Sequence, residues 1–242
     1  MSVMSSVIYA IIAPGLLMIG TLPLNGASST AVSPLSVYGM RTLPSALGAI
    51  KTPDIQSPAW LKAQDVADAA ASRAAAAKRT VTYSVTTRGT LAADVTEFRL
   101  KANATLNDSR GWARFGVVFT EVASGGNFVL VLSEASQLPS FSSGCSPQYS
   151  CRVGQYVIIN QDRWLSATPS WNNAGGSIGD YRNMVVNHET GHWLGHNHQS
   201  CGGAGQVAPV MQQQSIDLQG CTFNAWPLAG ELWSTQLGID TR

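Results

Sequence analysis

The segment HETGHWLGHNH, residues 188 to 198, constrains this chain more than any other. His188 and His192 are four residues apart, so on a helix both imidazoles project from one face, one turn apart. That spacing suits two ligands of a tetrahedral metal ion, with Glu189 beside the ion but not bound to it. Gly195 comes three residues after His192. A helix that must end and turn sharply needs a residue that accepts positive φ, and glycine does so without steric cost. The turn lets His198 return as third ligand and leaves a fourth position open, which marks a catalytic site. All 4 histidines of the chain lie in this segment. Spacing favours His198 over His196 as ligand, so His196 reads as a solvent-facing or supporting residue.

The chemistry follows from the residue types. Zinc lowers the pKa of a bound water to about 7, which makes hydroxide available at neutral pH. Glu189 is then placed as general base, taking a proton from that water and passing it to a leaving amine.

Asp180 is a good N-cap for a helix over Tyr181–Leu194, with Met184, Val185, His188 and His192 on one face. Upstream, Thr80–Thr87 alternates like a half-buried strand, and Asp94–Leu106 has the spacing of an amphipathic helix. Phe115–Thr120, Phe128–Ser133 and Tyr156–Asn160 are short apolar runs of buried strands, and Asn172–Gly179 reads as a loop. The order strand, helix, three strands, helix predicts an α+β fold, a mixed sheet packed on helices.

The first 79 residues have a different character. No charged residue precedes Arg41, and Val7–Leu24 is almost wholly apolar. Residues 1–27 therefore read as a signal peptide or an N-terminal membrane anchor, which places the protein outside the cell or on the outer face of the membrane. Residues 28–79 read as a linker or pro-segment, with an alanine-rich, helix-prone stretch from Asp65 to Lys78. Residues 80–242 read as the domain that carries this metal site. Its 4 cysteines, Cys145, Cys151, Cys201 and Cys221, suit two disulfides, for which three pairings exist. The parsimonious pairing is Cys145–Cys151 with Cys201–Cys221, each bracketing a Gly- or Ser-rich loop. With a net charge of +1 and no basic stripe, nothing points to nucleic acid.

HExxHxxGxxH followed by a methionine turn, here Ala208-Pro209-Val210-Met211, resembles the signature of the metzincin zinc peptidases. The resemblance implies a mostly parallel twisted sheet packed on a long active-site helix, and a small C-terminal subdomain carrying the turn. It implies Zn2+ as cofactor, a peptide or protein substrate lying extended along an edge strand, and Met211 as a hydrophobic floor beneath the ligands. Tyr156–Asn160 is one candidate for a strand close to the site, and a monomer is expected. The segments RVGQYVIINQDRW, YRNMVVNHETGHWLGH and APVMQQQS are also similar to a group of exported actinobacterial proteins, over roughly residues 80 to 235. Two positions depart from better-known metzincins. Gln199 follows the third ligand, and Gln213 stands where some subfamilies place a metal-site tyrosine. The suspected Cys201–Cys221 disulfide would brace the turn. No cysteine precedes Cys145, which excludes a cysteine-switch pro-segment. Two other functions share these residues: hydrolysis of cell-wall peptide cross-links, and a non-catalytic zinc-stabilised binding module.

Overall fold

Alternating β-branched residues make Arg79–Arg88 the long interior strand β1, which buries Val81, Tyr83 and Ser84. The structure is a computed structural model that describes residues 62, 65–69 and 79–240. The apolar leader, most of the linker and the stretch from 70 to 78 lie outside the described residues. Residues 65–69 are helical and exposed, as their lack of large apolar side chains leads one to expect.

After β1 come helix α1 (Val95–Leu106), strands β2 (Val117–Glu121), β3 (Phe128–Ser133), β4 (Cys151–Val153) and β5 (Tyr156–Asn160), then helices α2 (Gln161–Ser166), α3 (Pro169–Asn173) and α4 (Ile178–Leu194). The sheet order is β2-β1-β3-β5-β4. All neighbours are parallel except β4 and β5. The fold is thus α+β with a mixed sheet packed on helices, as the order of elements predicts, and the sheet is mostly parallel.

One crossing is unusually tight. Parallel strands normally need a connection of a dozen or more residues, yet β2 and β3 are joined by residues 122–127 alone. β1 makes this possible by pairing with β2 along its first half and with β3 along its second, the change falling at Tyr83. The link lies directly on β1: Val122 N donates to Tyr83 O at 2.8 Å and Asn127 N to Thr82 O at 2.7 Å. Gly126 has φ 94°, and a β-carbon on it would come within 3.0 Å of the Thr82 carbonyl oxygen. Only glycine fits so close a backbone approach.

The main core lies between the sheet and the helices and includes Trp112, Trp164, Trp171, Tyr181 and Phe98. A smaller one, on Val131, Ile158, Leu138 and Cys145, takes in part of the loop carrying the first disulfide. Arg182 ties α4 to its neighbours. Its Nε donates to Trp164 O at 2.9 Å and its Nη1 to Glu97 of α1 at 2.6 Å.

Several boundaries differ from the sequence reading. The strand expected over 115–120 begins at Val117, because Trp112–Phe115 forms a 3-10 turn ended by Gly116 at φ 72°. The loop expected over 172–179 shrinks, because Pro169 at the first turn and the Thr168 side chain start a short helix. Asp180 is not the N-cap of α4. Ser177 takes that place, accepting from Asp180 N at 3.0 Å and donating to Asp180 Oδ2 at 2.7 Å. The helix therefore starts three residues earlier, with Asp180 in the first turn, where its charge favours the helix dipole. Tyr156–Asn160 is not the edge: the three-residue strand β4 covers it.

Candidate metal centre

Helix α4 carries the first two histidines, His188 within a stretch buried from Asn183 to Gly191 and His192, half-buried, just after it. It ends at Gly195, φ 107°, and a β-carbon there would collide with Thr235 Oγ1. Glycine is required both by conformation and by space. The chain then turns so that ring nitrogens of His188, His192 and His198 all lie within 4.8 Å of one another.

The backbone sets how these rings face. His188 Nδ1 lies 2.8 Å from Val210 O, and His192 Nδ1 lies 2.9 Å from His196 O. A carbonyl oxygen can only accept, so each Nδ1 carries the hydrogen and each Nε2 keeps its lone pair. His198 Nε2 stands 3.1 Å from His192 Nε2. Burial, then the neighbouring imidazole of His192, pulls the pKa of His188 down to about 3. Burial, with His198 adding to it, pulls that of His192 down to about 4. Both rings are neutral at neutral pH, the form that ligates metals. Two lone pairs locked inward beside a third imidazole make a donor set that fits a metal ion.

Glu189 lines the same cavity of about 320 Å³. It is buried, and its Oε2 has no hydrogen-bond partner. Burial pushes its carboxyl up to about 8, with the charge of Arg152 working the other way. An unpartnered carboxylate oxygen is costly in a core, and a carboxyl beside a cavity can take or give a proton.

The methionine turn packs directly beneath the helix. Gln199 N, just past His198, donates to Met211 O at 3.0 Å. The Met211 sulfur occupies the space where a β-carbon on Gly191 would be, with Trp112 pressing on the same point. Gly191 of the HETGH segment thus has a steric reason. The turn is held from below by Glu231, a residue that the sequence reading missed. Its buried carboxylate accepts from Val210 N at 3.0 Å, Met211 N at 2.9 Å and Leu228 N at 2.7 Å. The available signal was weak: one acidic residue amid the small and apolar side chains of PLAGELW.

His196 is not solvent-facing. It is 2% exposed, its ring lies against those of Trp112 and Trp233, and its Nε2 bonds Trp233 O at 2.8 Å. Its own carbonyl is the group that orients His192. It is a support for the second histidine.

One wall of the cavity is the segment from Gly144 to Arg152, and the other runs from Gln213 to Ile216. Both walls are fastened. The disulfides are Cys145–Cys151 and Cys201–Cys221, the parsimonious pairing, and they fit an extracellular location. Asn160 Nδ2 donates to Pro147 O at 2.9 Å inside the first loop. On the opposite wall, Tyr181 and Ser215 share a hydrogen bond of 2.9 Å between their hydroxyls. Among the described residues no helix is long and apolar enough to cross a membrane.

No curated protein matches the chain. A family match covers residues 60–228, from just before the described helical residues to the segment after the methionine turn, and includes all three histidines and Glu189. On that match the chain belongs to the DUF3152 family, described as a protein of unknown function.

Proposed function

We propose that this chain is a zinc-dependent endopeptidase of the metzincin type. The observation that carries the reading is the convergence of three imidazoles on one point, with Glu189 lining the same cavity. His188, His192 and His198 would hold the ion. Zinc bound there supplies Lewis acidity toward a peptide carbonyl and toward water. Glu189 takes the proton of the attacking water and returns it to the departing amine nitrogen. Burial raises the carboxyl of Glu189, and a cation held by the three histidines would draw it back toward the ionised form that takes a proton.

The surroundings support the metzincin reading. The helix ends at glycine, Met211 packs under it, and the segment after Leu194 has few regular elements. The edge strand beside the cavity is antiparallel in an otherwise parallel sheet. A substrate strand can add to the free side of β4 by backbone hydrogen bonds.

The test uses the full chain loaded with zinc and an unfolded protein as substrate, with and without chelator. Cleavage that chelator stops, and that Glu189→Ala loses while retaining zinc, is the expected result. Undiminished cleavage by that variant would sink the proposal.

A further inference from the structure

We propose that Arg152 is the specificity-determining residue of this site and selects peptide substrates bearing a carboxylate side chain beside the scissile bond. The inference rests on the hydrolase reading above and adds the substrate class.

Register places the residue. Arg152 pairs directly with Val157 across the antiparallel β4–β5 ladder, so both side chains lie on the same face of the sheet. Val157 is fully buried in the main core, on the face covered by the helices, whereas Cys151 and Val153 pack with the smaller core on the other face. The Arg152 side chain is therefore on the side of α4, at the free edge of the sheet, and it lines the cavity. It is close enough for its charge to act on both Glu189 and His192.

The residue is exposed and takes part in none of the described ion pairs. Among the described residues lining the cavity, the only other acidic or basic side chain besides the histidines is Glu189, which is engaged in the proton chemistry; the rest is uncharged, with serines, glutamines and a tyrosine. The guanidinium is thus an unspent cation beside a docking edge, with a planar fork suited to a carboxylate. The disulfide to Cys151, its immediate neighbour, holds that position in place.

The experiment uses the zinc-loaded full chain and quenched fluorescent peptides that differ only in carrying Glu, Gln or Lys next to the cleaved bond. The parent chain should cleave the Glu peptide about tenfold faster in kcat/KM than the Gln peptide. Arg152→Gln should remove that preference, mainly through KM, and Arg152→Glu should reverse it toward Lys. In parallel, binding of the same peptides is measured on zinc-loaded Glu189→Ala. Charge-selective binding without hydrolysis by the parent chain supports Arg152 and overturns the hydrolase reading. Hydrolysis with no charge preference, or an equal loss on all three peptides in Arg152→Gln, overturns the role of Arg152 and leaves the hydrolase reading standing. Neither hydrolysis nor charge-selective binding overturns both.

Discussion

His188 Nδ1 donates to the carbonyl oxygen of Val210 across 2.8 Å, so the methionine turn sets the tautomer of the first histidine. The turn is in turn set by Glu231, whose two carboxylate oxygens accept from the amides of Val210 and Met211. A buried acid from the last part of the described chain thereby positions a ring on helix α4.

Glu231→Gln tests this relay. A carboxamide offers only one oxygen and turns an NH2 group toward a backbone N–H. The loss should be about 1.5–3 kcal/mol of stability in urea denaturation, because hydrogen bonds to a buried charged group are broken. Zinc affinity, measured by competitive titration on the folded variant, should fall about tenfold through the loosened support of His188. Lost stability with unchanged zinc affinity would limit Glu231 to a structural part.

Two glycines of the same helix should behave oppositely. Gly191→Ala forces a β-carbon onto the Met211 sulfur and within 3.0 Å of Trp112, a cost of about 1–3 kcal/mol for an overpacked core. Gly179 meets only Ser177 Oγ, at 3.8 Å. Gly179 sits in the first turn without a positive φ, so Gly179→Ala should raise stability by about 0.4–1 kcal/mol by reducing the freedom of the unfolded chain. Urea denaturation of the two variants beside the parent checks both signs.

The elements that sequence reasoning located were those whose signals are local. Phe128–Ser133 and Tyr156–Asn160 are strands with the expected limits, because each is an apolar run bounded by polar or glycine residues. Four-residue spacing alone put His188 and His192 on one helix face. What was misread either left too short a local pattern or depended on partners distant in sequence. The edge strand β4 is three residues long and carries no periodicity; it exists because β5 pairs with it. Burial of His196 depends on Trp112 and Trp233, neither of which its neighbours announce. Ser177 won the N-cap from Asp180 because a serine hydroxyl can accept from one group and donate to another, a distinction that residue type alone leaves open.

The two disulfides should separate in their effects. Cys201–Cys221 closes a loop with sequence separation 20 that contains the methionine turn, and Cys145–Cys151 one with separation 6 beside Arg152. Replacing both cysteines by alanine should cost about 3 kcal/mol for the first and about 2 kcal/mol for the second on loop-closure entropy. Loss of the Cys201–Cys221 bond should also weaken zinc binding, whereas loss of the Cys145–Cys151 bond should raise KM for peptides with zinc binding unchanged. Denaturation, zinc titration and peptide kinetics on the two double variants check the split.

On the proposed function, three histidines hold a metal ion and Glu189 works beside it. Peptide hydrolysis per bound zinc, measured on Glu189→Ala beside the parent chain, tests it most directly. One zinc per chain should be retained in both, since Glu189 is not among the three clustered donors. The rate should fall by at least about 10²–10⁴ in the variant, the usual contribution of a general base. A variant that binds zinc and hydrolyses peptide as fast as the parent would contradict the account.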